Sequence, residues 1–300
     1  MNIKMQRNDL PKVRGEYLFD YALRSQSFFK VGGNCNVMFI PADVDDLLQF
    51  LTKKSQDLKI TILGNMSNVL ISDCGIQGCA IQLKNLDKID FSDNYVEVQA
   101  GTLLSKFIST CTKNEVSCCE KLCCIPGTIG GAIFMNAGIP GFEISDVLIS
   151  VSGVNFSGEK RTFAKDELNV TYRCGNIPND FIVTSVRLKT FSKDTSQILN
   201  EIKELQAKRL KSQPIGQATC GSTFKNPSGA RAWELIKQAG CDKLSVGGAK
   251  VSKKHCNFLV NTGNAKASDF VKLIDIIKSK VFEQTGYELQ EEIKRIGDKW

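Results

Sequence analysis

The stretch that most limits how this chain can fold runs from residue 125 to residue 138 and reads IPGTIGGAIFMNAG. It holds four glycines and one proline and has no charged side chain. Pro126 is suited to begin a helical turn, where its missing N–H is not needed. Dense glycines let a backbone approach another group closely, and N–H groups at a helix start suit a phosphate. A packed helix–helix crossing would need the same small residues, so this stretch alone leaves both interpretations open.

Composition limits the class of protein. The chain has 300 residues, of which 42% are hydrophobic and 24% charged, enough for one large domain or two ordinary ones. No apolar run approaches the ~20 residues that span a bilayer. The polar N-terminal stretch lacks the apolar core of an export signal, so we expect a cytosolic protein. The formal net charge is +7, but Lys and Arg are scattered, which predicts anionic small ligands and no nucleic-acid partner.

The twelve cysteines indicate reduced thiols, because no export signal accompanies them. Four of them cluster in the sequence CCEKLCC, as Cys118, Cys119, Cys123 and Cys124. This spacing lacks a CxxC pair, and His255, the single histidine of the chain, is far away in sequence. We therefore predict no metal site and interpret the cysteines as small buried apolar residues.

Hydrophobic spacing predicts a mixed α+β chain. Helices are expected at residues 43–53 (with Asp43 as N-cap), 102–113, 198–211, 231–239 and 268–284. Strands are expected at residues 36–40, 59–63, 69–72, 79–83, 87–91, 95–99, 147–156, 161–163, 182–191, 249–251, 257–261 and 287–296. The first half shows no regular βα repeat. Composition changes near residues 192–195, where we place a domain boundary.

Three glycine-rich turns lie beside predicted strand ends in the first half, at residues 32–33, 64–68 and 127–131. Backbone N–H groups from several such turns can hold a diphosphate without a lysine-containing phosphate loop. The chain contains neither GxGxxG nor GxxxxGK[ST]. The pattern therefore favours a large dinucleotide held in an α+β domain that is not of the Rossmann type.

Several separated motifs appear in one order: SFFKVGG, ILGNMSNVLISD, the 125–138 stretch, Tyr172-Arg173, CGSTFKNP, VGGAKVSKKHCNFLVN and ELQEEIKRIG. In these motifs the chain resembles the UDP-N-acetylenolpyruvoylglucosamine reductase (MurB) family over nearly its whole length. The spacing resembles the family's shorter form, which lacks a loop bearing a substrate-covering tyrosine. The resemblance implies an α+β fold with an N-terminal lead (1–21), a FAD-binding domain of the vanillyl-alcohol-oxidase (PCMH) type (22–192) and a smaller α+β substrate-binding domain (193–300).

The resemblance also implies which residues form the site. The family's catalytic positions match Arg173, Ser222 and Glu292, and substrate contacts would fall on Lys225 and Asn226. The residues expected to contact FAD are Gly64, Asn65, Met66, Ser67, Asn68, Ile125, Pro126, Gly127, Thr128, Gly130, Gly131, Asn136, Ala137 and Gly138. Taken singly, Arg173 also fits a surface arginine, Ser222 a turn former, and Glu291-Glu292 a solvated acidic face.

The reaction implied by the resemblance is the reduction of UDP-N-acetylglucosamine enolpyruvate to UDP-N-acetylmuramate, a peptidoglycan precursor. Non-covalent FAD would pass a hydride from NADPH to the enolpyruvyl double bond. A permanently charged guanidinium suits the negative charge that then develops, and a hydroxyl can supply the proton if its alkoxide is stabilised. Glu292 would either orient Arg173 and Ser222 or act as the acid.

Two residues depart from the family pattern. Met66 stands where the turn usually has glycine, so a left-handed backbone there would be strained. Cys123-Cys124 before Ile125 is also unusual and suggests sensitivity to oxidation.

Two rival interpretations remain. One is an oxygen-using oxidase of the same flavin superfamily, although such enzymes often bind flavin covalently through a histidine, and His255 lies outside the glycine turns. The other is a non-catalytic binding protein, either a degenerate flavoprotein or a cysteine-based metal module.

Overall fold

The computed structural model describes residues 9–300, which form two compact units, each built from separated segments. Unit 1 comprises the N-terminal segment up to Phe19, Val37–Asn65 and Gly78–Ala207. Unit 2 comprises Asp20–Asn36, Met66–Gln77 and Lys208–Trp300. The domain boundary that the sequence predicts at residues 192–193 stays a prediction.

The secondary structure is mixed, as predicted. The strands within the described residues are β1 (Glu16–Ala22), β2 (Asn34–Ile40), β3 (Ile60–Leu63), β4 (Val69–Ile71), β5 (Ile76–Gln82), β6 (Ile89–Phe91), β7 (Tyr95–Gln99), β8 (Val116–Ser117), β9 (Gly138–Ile139), β10 (Phe142–Glu143), β11 (Leu148–Asn155), β12 (Lys160–Ala164), β13 (Phe181–Lys189), β14 (Phe191–Ser192), β15 (Ser245–Val246), β16 (Ala249–Val251), β17 (Leu259–Asn261) and β18 (Lys294–Ile296). The helices are α1 (Val44–Lys53), α2 (Leu104–Lys113), α3 (Ile129–Phe134), α4 (Thr195–Ser212), α5 (Ala232–Gln238) and α6 (Ala267–Thr285).

Unit 1 is organised around a five-stranded antiparallel sheet of order β12-β11-β13-β7-β6. Another sheet has the order β1-β2-β5-β3, in which β3 runs parallel to β5. Helix α1 begins where predicted, because the Asp43 side chain accepts the Asp46 N–H at 2.9 Å. Its apolar face buries Leu47 and Phe50 in the core of the unit.

Unit 2 packs α5 and α6 with a three-stranded antiparallel sheet, β15-β16-β17, and a parallel pair formed by β4 and β18. The predicted inward face of α6 is buried and contains Phe270, whose ring centroid lies 4.3 Å from that of Phe29. Helix α6 ends at Gly286, whose φ of +73° is a conformation that glycine adopts without strain. The core of unit 2 therefore includes residues from both ends of the sequence.

Two sequence predictions were wrong in detail. The segment treated as a polar lead contains β1, a strand that its weak hydrophobic alternation did not reveal. Only Lys294–Ile296 of the predicted strand at residues 287–296 is a regular strand. Residues 290–292 are extended but pair with residues 223–225 through one isolated bridge, Phe224↔Glu291. Residues beside an isolated bridge can have the sequence pattern of a strand, but they lack the continuous hydrogen-bond ladder that defines a strand.

Glu120 is a buried carboxylate of unit 1, with only 7% of its side chain exposed. It accepts hydrogen bonds from the Ser117 hydroxyl at 2.6 Å and the Cys118 N–H at 2.9 Å, and Lys193 Nζ lies 3.2 Å away. Burial alone would raise the pKa of Glu120, but these hydrogen bonds outweigh it and hold the pKa below its usual value of 4.5. The contribution of the ionised Glu120 to the free energy of unfolding is therefore complete above pH 4.5. It is lost as the pH falls through the lower folded-state pKa.

We expect Lys193→Met to lower the free energy of unfolding by about 1–3 kcal/mol at pH 7, because Glu120 loses a charged partner. The loss should shrink at a pH below the lowered folded-state pKa of Glu120, where the carboxyl is protonated. Urea denaturation at both pH values measures it, with Lys189→Met on the exposed end of β13 as the control. Equal losses in the two variants would contradict the assignment.

Candidate functional site

The 125–138 stretch forms the short helix α3 and its approach. Thr128 is the N-cap, and its Oγ1 accepts the Gly131 N–H at 3.2 Å. The prediction that Pro126 begins the helical turn is therefore wrong. The helix starts at Ile129, because Thr128 combines an extended backbone with a side-chain acceptor.

The N–H groups that begin α3 donate within the protein. Ile129 N–H donates to the Thr102 carbonyl and Gly130 N–H to the Ala100 carbonyl, both at 2.8 Å. Together with the Gly131 N–H bond to Thr128, these bonds use the N–H groups at the start of α3, the kind of donor that the sequence suggested for a phosphate. The glycines here serve close backbone packing, since a Cβ on Gly130 would lie 3.0 Å from the Ala100 Cβ.

Two of the predicted cofactor segments meet in unit 1. A Cβ on Gly64, at the end of β3, would lie 3.1 Å from Thr128 Oγ1. The Gly64 carbonyl accepts a hydrogen bond from Gln82 Nε2 at 3.1 Å. Beside them, the buried Thr102 hydroxyl has no hydrogen-bond partner among residues 9–300. Gly64 carries no Cβ, so a ligand could approach its backbone closely, and the unsatisfied Thr102 hydroxyl could donate to an acceptor on that ligand.

Arg173 is held within unit 1 in a defined conformation. It lies in a tight turn closed by hydrogen bonds between Thr171 and Cys174, at 2.9 and 3.0 Å, and has a φ of +54°. Its guanidinium donates to the Gly138 carbonyl at 2.9 Å and lies 3.7 Å from the Glu143 carboxylate. Only 16% of its side chain is exposed. This excludes the alternative of a freely solvated surface arginine.

Met66 has the left-handed backbone conformation anticipated as a source of strain, with a φ of +50°. Its side chain is 5% exposed, and its carbonyl accepts the Phe28 N–H at 3.3 Å within unit 2. A left-handed non-glycine residue costs roughly 1–2 kcal/mol, whereas burying a methionine side chain contributes about 1.5–3 kcal/mol. Burial therefore offsets the strain that glycine would avoid.

Unit 2 places Ser222 and Glu292 on neighbouring backbone segments. The Glu292 N–H donates to the Thr223 carbonyl and the Lys225 N–H to the Gln290 carbonyl, each at 2.8 Å. Asn68 Nδ2 donates to the Glu292 carbonyl at 3.1 Å. Ser222 and Glu292 are both half-buried. The neighbouring Glu291 pairs with Arg295 at 2.7 Å, so this part of the acidic pair is not a solvated face.

Asn257 fixes the turn that carries Ser222, and sequence reasoning missed it. Its Nδ2 donates to the Phe224 carbonyl at 2.8 Å and its Oδ1 accepts the Phe224 N–H at 2.9 Å. The Thr223 N–H also donates to the Asn257 carbonyl at 2.7 Å. The residue lies within the HCNFLVN motif, but no spacing rule reveals a partner 33 residues away.

The two predicted substrate-binding residues lie in the same turn. Asn226 is exposed, and its Oδ1 accepts the Ala232 N–H at 3.0 Å at the start of α5. Lys225 is half-buried and follows the buried Phe224. The amide nitrogen of Asn226 and the ammonium of Lys225 are the donors that these two residues could offer a ligand.

Unit 2 also contains a cavity of about 850 Å³, within the range of ligand pockets. Its charged lining is predominantly basic, with Lys237, Lys243, Lys250, Lys253, Lys254 and a single carboxylate, Asp242. Trp233 and His255 supply aromatic surface, and burial lowers the pKa of His255, so that it stays neutral at pH 7. The cavity suits an anionic ligand that has a flat ring. The cluster of lysines between positions 237 and 254 is the sequence signal that could have indicated it.

The cysteine cluster shows no metal-binding geometry. Cys118 and Cys119 are buried with their sulfur atoms 3.5 Å apart, and a hydrogen bond with Cys119 together with burial raises the pKa of the Cys118 thiol. Within residues 9–300 no three His, Cys, Asp or Glu side chains converge as metal ligands would.

Two family models match separate parts of the sequence. A model of the FAD binding domain matches residues 36–163, and a model of the UDP-N-acetylenolpyruvoylglucosamine reductase C-terminal domain matches residues 213–296. The UDP-N-acetylenolpyruvoylglucosamine reductase of Rickettsia prowazekii (strain Madrid E) is 43% identical over 96% of this chain and 98% of its own length. That of Rickettsia bellii (strain RML369-C) is 42% identical over 96% of both chains. The chain belongs to the UDP-N-acetylenolpyruvoylglucosamine reductase (MurB) family.

A solved MurB structure, from Thermus caldophilus, has a TM-score of 0.81 at 31% identity and covers 95% of this chain and 99% of that one. The predicted family and the α+β fold class, a FAD-binding domain followed by a MurB C-terminal domain, are thereby confirmed. The chain is a FAD-dependent oxidoreductase. The unsatisfied Thr102 hydroxyl, beside the Gly64 backbone and the start of α3, fits such a cofactor. Within residues 9–300, no helix is both long enough and apolar enough to cross a membrane.

Asn257→Asp tests the hydrogen bonds that fix the Ser222 turn. The new carboxylate keeps the acceptor for the Phe224 N–H but presents a second acceptor to the Phe224 carbonyl, which should cost about 1–3 kcal/mol at pH 7. Burial raises the pKa of the new carboxyl, so the penalty should diminish as the pH falls through that value and the group regains a donor. Denaturation against wild type at pH 7 and pH 5 measures this, with the exposed Asn264→Asp as control. A penalty independent of pH would refute the assignment.

Proposed function

We propose that this chain reduces UDP-N-acetylglucosamine enolpyruvate to UDP-N-acetylmuramate, with non-covalently bound FAD and with NADPH as the hydride donor. Membership of the MurB family and the names of its relatives support this reaction. The structural observation that carries the proposal is the Phe224↔Glu291 bridge, which sets the turn bearing Ser222 beside the segment bearing Glu292. A hydroxyl and a carboxylate on adjacent backbone suit proton delivery.

When bound, FAD supplies reversible hydride transfer. Addition of a hydride to the terminal carbon of the enolpyruvyl group places negative charge on the neighbouring carbon and its carboxylate, and a proton must then reach that carbon. Arg173 is the proposed stabiliser of this charge, because a guanidinium keeps its charge at every working pH. Ser222 is the proposed proton donor, and Glu292 either orients Ser222 and Arg173 or supplies the acid. Uptake of one hydride and one proton balances the reduction.

The residues of unit 1 proposed to hold FAD are those that sequence analysis named there, beginning with Gly64 and Asn65. Because the N–H groups of Ile129, Gly130 and Gly131 donate within the protein, side chains and the remaining backbone of the 125–138 stretch would supply the contacts. The assignment of Met66, Ser67 and Asn68 to FAD rests on the resemblance alone.

The lysine-lined cavity of unit 2 is the proposed site for the nucleotide diphosphate of the substrate. Five lysines around a concave surface provide the positive potential that two phosphate groups require, and Trp233 offers a surface for the base. Lys225 and Asn226 stay the proposed contacts nearer the reacting end. We further infer a cytoplasmic role in peptidoglycan precursor synthesis, and through it in cell-wall biogenesis, cell shape, the cell cycle and division.

The deciding experiment follows NADPH absorbance with purified protein that shows flavin bands. The proposal requires NADPH oxidation that depends on added enolpyruvyl nucleotide and proceeds without oxygen. Oxygen consumption without the nucleotide would favour the oxidase interpretation, and absent flavin bands would favour a binding protein.

We expect Ser222→Ala to retain flavin reduction by NADPH and to lose transfer to the enolpyruvyl substrate by about 10²–10⁴-fold, the usual contribution of a positioned proton donor. Stopped-flow absorbance of the two half-reactions measures each separately. The exposed Ser228→Ala is the matched control. A similar fall in both half-reactions would rule out the proton-donor role.

Lys250→Gln tests the cavity. Loss of one partly exposed charge contact, about 1 kcal/mol, should raise the KM for the nucleotide substrate about fivefold and leave kcat nearly unchanged. The KM of the wild type should also rise with ionic strength more steeply than that of the variant. Lys203→Gln on the exposed face of α4 is the control, and an unchanged KM in Lys250→Gln would remove the cavity from substrate binding.

A further inference from the structure

We propose that Glu143 and Asn136 are positioning residues that set the orientation of the Arg173 guanidinium. The inference rests on the proposed function, because it concerns the residue assigned to stabilise charge on the substrate. All the contacts that carry it lie within unit 1.

The guanidinium of Arg173 is oriented by oxygens on two of its nitrogens. One terminal nitrogen donates to the Gly138 carbonyl at 2.9 Å, and the other lies 3.7 Å from Glu143 Oε1. The carbon atom of the group stacks 4.8 Å from the centroid of the Tyr172 ring. A planar cation with fixed neighbours on its edge and one face has little rotational freedom.

The Glu143 carboxylate is itself fixed. Its Oε2 accepts a hydrogen bond from Asn136 Nδ2 at 2.6 Å. The Glu143 N–H in turn donates to Asp146 Oδ2 at 2.8 Å. With Oε2 bound to Asn136 and the backbone N–H bound to Asp146, Glu143 presents its Oε1 to Arg173, so it can orient the guanidinium.

Asn136 joins this carboxylate to the turn that carries Arg173. Its side chain is 1% exposed, and its Nδ2 donates both to Glu143 and, at 3.0 Å, to the Thr171 carbonyl. Its Oδ1 accepts the Ser145 N–H at 3.3 Å. These bonds use both amide hydrogens, and the Asn136 backbone N–H donates to the Ile133 carbonyl at 3.0 Å, so Asn136 has no hydrogen-bond donor left to offer FAD.

Removing the charge of Glu143 should affect the orientation of Arg173 and the binding of substrate in opposite directions. Glu143 partly offsets the positive charge of Arg173, so removing its charge leaves the guanidinium more attractive to a substrate carboxylate but less firmly oriented. Glu143→Gln should therefore lower kcat about 10–100-fold, the cost of a displaced catalytic group. The KM for the enolpyruvyl substrate should stay unchanged or fall, and flavin reduction by NADPH should keep its wild-type rate.

Steady-state and half-reaction kinetics of Glu143→Gln test the proposal, with Glu97→Gln as matched control. Glu97 forms a carboxylate–arginine pair with Arg187 at 2.9 Å on the five-stranded sheet. A raised KM with unchanged kcat, equal losses in both half-reactions, or the same kcat loss in Glu97→Gln would each overturn the positioning role. If Glu143→Gln does not fold, Glu143→Asp retains the charge on a shorter arm and should show a smaller fall in kcat at unchanged KM.

A second measurement needs no activity. Unfolding of Glu143→Gln, Arg173→Met and the double variant forms a cycle in which coupled residues deviate from additivity by about twofold or more in the unfolding constant. Additive effects would overturn the contact between them. If wild type shows no nucleotide-dependent NADPH oxidation, the proposed function fails, whereas this cycle still decides whether Glu143 holds Arg173.

Discussion

The candidate site in unit 2 depends on backbone hydrogen bonds made by the last segment of the chain. The Glu292 N–H donates to the Thr223 carbonyl at 2.8 Å, the Lys294 N–H donates to the Asn68 carbonyl at 3.0 Å, and β18 then pairs with β4. These bonds join residues far apart in sequence, so their closure costs chain entropy. Burial of Leu289 and Ile293 on either side of Glu292 offsets that cost. The location of Glu292 is thereby fixed by main chain and core packing.

Asparagine side chains supply hydrogen bonds in both units where the chain turns without regular backbone partners. Asn257 satisfies both backbone groups of Phe224, Asn136 serves the turn before Arg173, and Asn68 donates to the Glu292 carbonyl. An amide can donate and accept at once, which neither a carboxylate nor an ammonium can do at neutral pH. Irregular backbone near the candidate reactive groups is thus held by amide side chains that carry no net charge of their own.

Sequence predicted the parts of the fold that depend on local pattern. Helices α1 and α6, the β6–β7 hairpin and the Asp43 cap follow from periodicity and capping rules, and all are present. The start of α3 could not be predicted from Pro126, because pairing with residues 100–102 and the Thr128 hydroxyl decide it. The family motifs named Arg173, Ser222 and Glu292 as catalytic candidates. The side chains that hold them, such as Glu143 and Asn257, act through contacts that no local pattern encodes.

The distribution of charge in the folded protein also could not be predicted from local sequence patterns. Sequence analysis read the basic residues as scattered around a net charge of +7, yet folding gathers five lysines against one aspartate at a single concave surface. Lys237 lies in α5, Lys250 in β16, and Lys253 and Lys254 beyond that strand, so their proximity is a property of the packed unit. His255, kept neutral by burial, adds aromatic surface without charge. Because the potential inside a cleft depends on nearby charges more than on the total, a chain of modest net charge can hold a strongly anionic ligand.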